Sequence, residues 1–134
     1  MGIYAKELHP EVEQQYQRFF KIMQGIEQLL VKKFKKKPLF VLFPTRLQVY
    51  DYEWQWLDDF FSINLEKMDP DLPSSKLLQL CEKEGLNCLG TLSELRKDFN
   101  QNNEPLYLPL GDMHFTARGQ SVIAQLIFDK MKAP

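Results

Sequence analysis

The sequence predicts an α/β fold in which a parallel sheet lies between two layers of helices, formed by one domain over residues 1–134. Several segments have apolar residues at helical spacing, and short apolar runs lie between those segments. Strands that alternate with helices form βαβ units and therefore parallel sheets. The length is also close to the ~150 residues of one domain.

The first predicted helix extends from His9 to Lys37. Its apolar residues lie three and four positions apart, at Val12, Tyr16, Phe19, Phe20, Met23, Ile26, Leu30 and Phe34. That spacing places them on one face of a helix. Pro10 suits a first turn and Pro38 ends the pattern. The segment is predicted to be a long amphipathic helix.

The strands are predicted from short apolar runs. Leu39–Phe43 is apolar throughout and is followed by Pro44, which predicts a strand covered on both faces. Leu86–Leu89 predicts a second strand, and Leu106–Leu108 a weaker extended segment. Because a sheet of this kind usually has about four to six strands, the sheet is expected to be incomplete.

Four further helices are predicted. One covers Tyr50–Phe61, and the next starts at a cap formed by Ser74 or Ser75 and ends at Gly85. A short helix covers Leu92–Phe99. Thr116 caps the last helix, whose apolar face holds Val122, Ile123, Leu126, Ile127 and Met131.

Charge and hydropathy exclude two classes of protein. The chain has 17 basic and 18 acidic residues, and this balance argues against a general nucleic-acid binder. No apolar run approaches the ~18 residues of a membrane span. Residues 1–10 are too polar for a secretory signal, so the chain as it stands is expected in the cytosol, although a longer parent protein is compatible with export.

The two cysteines leave two alternatives. Cys81 and Cys88 form a disulfide if their Cα atoms lie within ~7 Å, or they are two buried free thiols, which we favour. They lack the companions of a zinc site. No metal and no cofactor is expected.

The segment Gly111–Gly119 carries the residues with chemical potential. Asp112 and His114 are two positions apart in a loop that leads into a helix. In a tight turn the carboxylate accepts a hydrogen bond from one ring nitrogen and orients the imidazole, while the other nitrogen is free to take a proton from a nucleophile. The alternative is a loop Asp in an Asx-turn beside a surface His.

The residues 112–119, followed by an apolar helix, resemble the last block of SGNH (GDSL-type) hydrolases. Phe40–Pro44 followed by Tyr50 is similar to a late core strand of that family. Leu80–Leu86 resembles the helix and turn that lead into the next strand, and Leu106-Tyr107 also matches in position. The resemblance covers about residues 20–132 and depends on the order and spacing of these motifs.

This resemblance implies a flavodoxin-like α/β/α fold and an esterase or acyltransferase with a Ser-His-Asp triad. His114 would be the general base and Asp112 its orienting partner. The substrate would be an acyl ester or an O-acetylated carbohydrate. The nearest members are similar to sugar O-acetyltransferases, in which the Asp-x-His precedes the serine.

The sequence departs from the family at the nucleophile. The family's serine lies in a Gly-Asp-Ser turn, whereas none of the five serines follows Gly-Asp: Ser62, Ser74, Ser75, Ser93 and Ser121. We assign no nucleophile, and the chain alone is expected to be inactive because it also lacks the family's oxyanion donors. It resembles the C-terminal portion of an SGNH domain. The alternatives are a non-catalytic module that binds a carbohydrate or a protein partner, and a small α/β protein with a coincidental Asp-x-His.

Three other features have two interpretations each. Lysines 32, 33 and 35–37 are a solvated helix end, which we favour, or a contact for an anionic polymer or lipid headgroups. Trp54 and Trp56 pack in a core with the neighbouring Phe60 and Phe61, which we favour, or form a sugar-stacking platform or an acyl groove. Arg46 and Gln48 make loop hydrogen bonds or line a cleft beside the Asp-His pair. The exposed edges of an incomplete sheet also predict self-association.

Overall fold

The computed structural model describes residues 2–132, which divide into two compact units. The first unit contains residues 2–40 and 64–88, and the second contains residues 41–63 and 89–132. The prediction of a single domain remains a prediction.

Six α-helices and two strands make up the described chain. The helices are α1 (Pro10–Phe34), α2 (Arg46–Val49), α3 (Asp51–Phe61), α4 (Leu72–Glu84), α5 (Leu92–Asn102) and α6 (Ala117–Lys132). The strands are β1 (Phe40–Leu42) and β2 (Cys88–Gly90), and single 3-10 turns lie at Gly2–Tyr4 and Leu65–Lys67.

The predicted three-layer, flavodoxin-like α/β/α fold is wrong. Helices account for 66% of the described residues, and the sheet consists of β1 and β2 alone, paired in parallel. Each strand has three residues and all are only half-buried, so neither strand is covered on both faces. The third predicted strand makes only one isolated antiparallel bridge, between Tyr107 and Phe115. A five-residue apolar run therefore produced a short strand rather than the centre of a large sheet.

The first unit is built around α1, whose predicted helix is confirmed over 10–34. Tyr16, Phe20 and Met23 are its buried residues. The helix ends at Lys35, which has a left-handed backbone at φ 58°. The predicted single apolar face is wrong in part, because Phe19, Ile26 and Phe34 are exposed.

Helix α4 begins earlier than predicted and ends where expected. It starts at Leu72 with Pro73 in its first turn, so Ser74 and Ser75 lie inside the helix rather than at its cap. Gly85 ends it with φ 69°, a left-handed conformation that glycine adopts without steric penalty.

A disulfide joins Cys81 at the end of α4 to Cys88 in β2, with 6.2 Å between the Cα atoms. The interpretation that we favoured, two free thiols, is therefore wrong. Closing a loop of this length stabilises the folded chain by about 2 kcal/mol in the chain-entropy account. Both cysteines belong to the first unit, so the bond links the end of α4 to residue 88 within that unit.

In the second unit α2, α5 and α6 pack around one core, and α3 contacts α2. Its buried members are Val49, Tyr50, Leu95, Leu106, Tyr107 and Ile123. The short helix α2 was not predicted, and Tyr50 precedes α3 as its cap residue. The Thr116 hydroxyl accepts a hydrogen bond from the Gly119 N–H at 3.2 Å, which confirms Thr116 as the cap of α6.

None of the helices within residues 2–132 combines the length and the apolar character that crossing a bilayer would require.

Candidate functional site

The Asp112-His114 segment lies on a short antiparallel hairpin, residues 106–116, which we call the dyad hairpin. Leu108 N–H donates to His114 C=O at 2.9 Å, and Thr116 N–H donates to Leu106 C=O at 2.9 Å. At the tip, Leu110 and Gly111 have φ values of 62° and 78°, and Asp112 N–H donates to Pro109 C=O at 3.4 Å. Two successive positive φ values are the requirement of a type I′ hairpin turn.

This turn brings the side chains of Asp112 and His114 together. Asp112 Oδ1 lies 2.6 Å from His114 Nδ1 and accepts the His114 backbone N–H at 2.8 Å. An ionised carboxylate is only an acceptor, so Nδ1 carries the hydrogen and the second ring nitrogen, Nε2, is left for another proton. The His114 side chain is 86% exposed and the Asp112 side chain 42%. Asp112 therefore forms the Asx-turn of the alternative interpretation, beside an exposed His114, and the same carboxylate also orients the imidazole.

The charge of Asp112 is favoured by its surroundings. The backbone N–H of His114 lowers the pKa of this carboxyl below its ordinary value, and the His114 side chain and the Arg46 cation act in the same direction. Because the pKa of Asp112 is lower in the folded state than in the unfolded state, its ionised carboxylate stabilises the fold. This stabilisation is complete above a pH of about 4, the ordinary pKa, and is lost as the pH falls through the lowered pKa. At neutral pH the carboxylate is therefore ionised.

Arg46 connects the tip of the dyad hairpin to α3. Its Nε donates to Glu53 Oε1 at 2.7 Å, and both side chains are about 15% exposed. Its Nη1 donates to the carbonyl oxygens of Leu108 at 3.1 Å and Asp112 at 3.4 Å. The hydrogen bond to Glu53 raises the pKa of Arg46, so the cation persists. Arg46 thus holds the backbone on both sides of the turn.

Two buried tyrosines hold the base of the dyad hairpin. The Tyr50 hydroxyl accepts the backbone N–H groups of Leu106 at 2.7 Å and Tyr107 at 3.0 Å. The Tyr107 hydroxyl donates to Pro44 C=O at 2.7 Å. Both side chains are 2% exposed. The hairpin therefore has one rigid end in the core and one exposed end that carries Asp112 and His114.

An open, mostly apolar groove of about 640 Å³ lies beside the turn, and we call it the aromatic groove. Its lining includes Arg46, Tyr52, Trp56, Leu110, Gly111 and Met113. The last two flank Asp112 in sequence, whereas Asp112 and His114 are not themselves among the residues that line the groove. Trp56 is 52% exposed and lies against the Phe60 ring, with centroids 4.8 Å apart. The predicted core position is confirmed for Trp54 and is wrong for Trp56, Phe60 and Phe61, which are exposed.

The remaining candidates divide between the groove and the core. Arg46 both lines the groove and makes loop hydrogen bonds, whereas Gln48 is 2% exposed and accepts the Thr45 N–H. No serine is among the residues that line the aromatic groove. In the part of the chain that the structure describes, no group of three His, Cys, Asp or Glu is placed to hold a metal ion.

Sequence reasoning missed Glu53, the hairpin contacts of Tyr50 and the role of Gly119. A Cβ atom at Gly119 would lie 2.4 Å from the backbone oxygen of Leu106. Only a glycine lets α6 approach the dyad hairpin this closely. The glycine of the Asp112–Gly119 block was visible in the sequence, whereas the contacts of Tyr50 join residues 56 and 57 positions apart and have no local pattern.

Comparison of the chain with protein-family models, with curated proteins and with solved structures gives no match. The resemblance to SGNH hydrolases therefore depends on the sequence motifs alone.

Proposed function

We propose that Asp112 and His114 form the general-base pair of an acyl-transfer site, in the manner of an SGNH-type ester hydrolase or O-acyltransferase. The observation that carries the proposal is the 2.6 Å contact between Asp112 Oδ1 and His114 Nδ1, on the hairpin whose residues Leu110, Gly111 and Met113 line the aromatic groove. A carboxylate that orients an imidazole is the base-and-orienter arrangement of serine esterases.

The chemistry follows from the free ring nitrogen. His114 Nε2 takes the proton of a hydroxyl group as that oxygen attacks the carbonyl carbon of an ester. The bond from this carbon to the leaving alkoxide breaks, and the alkoxide takes the proton from Nε2. The negative charge of Asp112 stabilises the imidazolium between the two steps. The acyl group has then moved to the new oxygen, and the base is regenerated.

The hydroxyl in this proposal comes from outside the described residues. The groove lining contains no serine, and its one hydroxyl is the phenol of Tyr52, whose pKa is raised by burial. In this proposal the attacking oxygen therefore belongs to an acceptor molecule or to another polypeptide segment. The open groove gives such a group access, and its apolar wall suits an acyl chain or the face of a sugar ring.

The test supplies the missing hydroxyl in solution. The 134-residue chain is mixed with p-nitrophenyl acetate and an excess of a sugar alcohol, and release of p-nitrophenolate is followed. The chain alone should stay inactive, whereas the acceptor should give a measurable rate that is slow because no oxyanion donor is assigned. We expect this acceptor-dependent rate to fall at least about tenfold in both His114→Ala and Asp112→Asn, since general-base contributions range from about 10² to 10⁴ in complete sites.

His9→Ala is the matched control because His9 is the other histidine of the chain and its side chain is also exposed. This variant should keep the acceptor-dependent rate within about twofold. Equal losses in the two histidine variants, or no acceptor-dependent release in the unsubstituted chain, would show that the Asp112-His114 pair is not a base for acyl transfer.

A second candidate function is carbohydrate binding without catalysis. The observation that favours it is the exposed ring of Trp56 in the wall of the groove, with Tyr52 also exposed and lining it. Aromatic rings with a polar neighbour such as Arg46 are typical of sites that combine stacking with hydrogen bonds. This module would bind the sugar and leave its esters intact.

Tryptophan fluorescence separates the two functions. In a Trp54→Phe background, where Trp56 alone emits, titration with neutral and acidic oligosaccharides should shift or quench the emission. We expect Trp56→Ala to bind the oligosaccharide at least about tenfold more weakly, as measured by calorimetry. Trp56→Phe serves as the control that keeps an aromatic face. An absent response to every oligosaccharide excludes this function and leaves the acyl-transfer test unaffected.

A further inference from the structure

Helix α1 exposes a second apolar face that its own unit does not cover. Phe19, Ile22, Ile26 and Leu29 are 43–63% exposed, although they are large and apolar. They follow one another at intervals of three, four and three residues, so they form a continuous stripe about three turns long. Contiguous apolar surface of this kind is uncommon on a soluble protein unless it binds something.

Basic residues lie along one side of this stripe and at its C-terminal end. Residues 14–37 contain seven of the 17 basic residues and only one of the 18 acidic residues. That single acid, Glu27, lies 3.7 Å from Lys37 and is mostly buried. Arg18, Lys21, Lys32 and Lys33 make no ion pair with any acidic group within residues 2–132. The segment that carries the stripe is therefore cationic, although the chain as a whole has a net charge of -1.

From these features we infer that α1 binds the surface of an anionic lipid bilayer. A bilayer interface accepts apolar side chains at its acyl boundary and cationic side chains at its headgroups, and an amphipathic helix lying in that plane satisfies both. The long lysine and arginine stems reach from the apolar boundary to the phosphates. This binding is peripheral, and no segment crosses the membrane.

Charge complementarity distinguishes this partner from the alternatives. A nucleic acid would use the cations and leave the stripe in water. A second copy of α1 would cover the stripe but would bring the two sets of unpaired cations together, which is repulsive. Only a surface that is both apolar and anionic uses the two features at once, and a lipid bilayer is such a surface.

The experiment is co-sedimentation of the full chain with vesicles. We expect binding to vesicles of phosphatidylcholine with about 30% phosphatidylglycerol, weak binding to phosphatidylcholine alone, and loss of binding as salt is raised. The double variant Ile22→Ser/Leu29→Ser should bind at least about tenfold more weakly, because two exposed apolar side chains no longer enter the interface. Lys32→Gln/Lys33→Gln should weaken binding by roughly fivefold for each lysine.

Matched variants in the second unit are the controls. Phe128→Ser/Met131→Ser removes two exposed apolar side chains from α6, and Lys130→Gln/Lys132→Gln removes two cations from its last turn. Both should bind as the unsubstituted chain does, and circular dichroism should show that every variant keeps its helices. Equal binding to both kinds of vesicle, or equal losses in the test and control variants, would overturn the inference. It would also be overturned if the chain ignored anionic vesicles but formed a dimer that Ile22→Ser/Leu29→Ser abolishes, since the stripe would then be a protein interface.

Discussion

Replacement of Tyr50 by phenylalanine is expected to lower the free energy of unfolding by about 2–4 kcal/mol. The hydroxyl of Tyr50 is the acceptor for two buried backbone N–H groups, those of Leu106 and Tyr107. Removing it leaves both donors without that partner in a core where neither residue is more than 2% exposed. An unpaired buried donor costs about 1–3 kcal/mol, whereas the ring packing of Tyr50 is retained in phenylalanine. Urea unfolding followed by circular dichroism measures the difference.

Tyr16 provides the matched control because its hydroxyl is also buried but has no hydrogen-bond partner within residues 2–132. Burial raises the pKa of this hydroxyl, as expected for a phenol removed from water. Tyr16→Phe should therefore change the free energy of unfolding by less than about 0.5 kcal/mol or stabilise the chain. If the two substitutions cost the same, the hydrogen bonds of Tyr50 do not hold the dyad hairpin.

The difference between these two tyrosines shows where sequence reasoning reaches its limit. Both are apolar members of helical patterns, and nothing adjacent in sequence distinguishes them. The partners of Tyr50 lie more than fifty residues away, and the contact of Arg46 with Leu108 spans 62 residues. Such contacts depend on how the elements pack, which local periodicity does not encode.

Local patterns predicted several helix features correctly, although the cap at Ser74 or Ser75 was wrong. The three- and four-residue spacing in α1, the left-handed Gly85 and the cap at Thr116 were all predicted, because each depends on neighbours within one helical turn. The two-residue spacing of Asp112 and His114 was likewise enough to propose their contact. Their catalytic role is still a prediction, since no hydroxyl nucleophile is defined.

The prediction of a large parallel sheet was wrong because strand pairing is not a local property. An apolar run such as Leu39–Phe43 indicates burial, but the number of strands that join it is a property of the whole chain. Three half-buried residues of that run form β1, and one neighbour, β2, pairs with it. Family resemblance supplied the rest of the expected sheet, and the described chain does not contain it.

Substitution of Gly119 by alanine should be the most disruptive single-methyl change in the second unit. The added Cβ would lie 2.4 Å from the Leu106 carbonyl oxygen and 3.0 Å from Cδ1 of Phe115. The nearer atom is a backbone oxygen that already accepts the Thr116 N–H. Rotation of a side chain therefore cannot relieve the clash, and α6 must move away from the dyad hairpin. Overpacking of this kind costs about 1–3 kcal/mol, and we expect the upper end because backbone has to shift.

Gly25→Ala is the control, since Gly25 is in the middle of α1 and a Cβ there meets nothing within 4 Å. Alanine at a helix interior is favoured over glycine, so this variant should gain about 0.5–1 kcal/mol in chemical denaturation.

Amide hydrogen exchange adds a local measurement: Gly119→Ala should lower the protection of the Thr116 amide, which bonds across the hairpin, and leave the amides of α1 unchanged. A neutral Gly119→Ala would mean that α6 does not pack against Leu106 at this distance, and the dyad hairpin would then lack the support that keeps Asp112 and His114 in register.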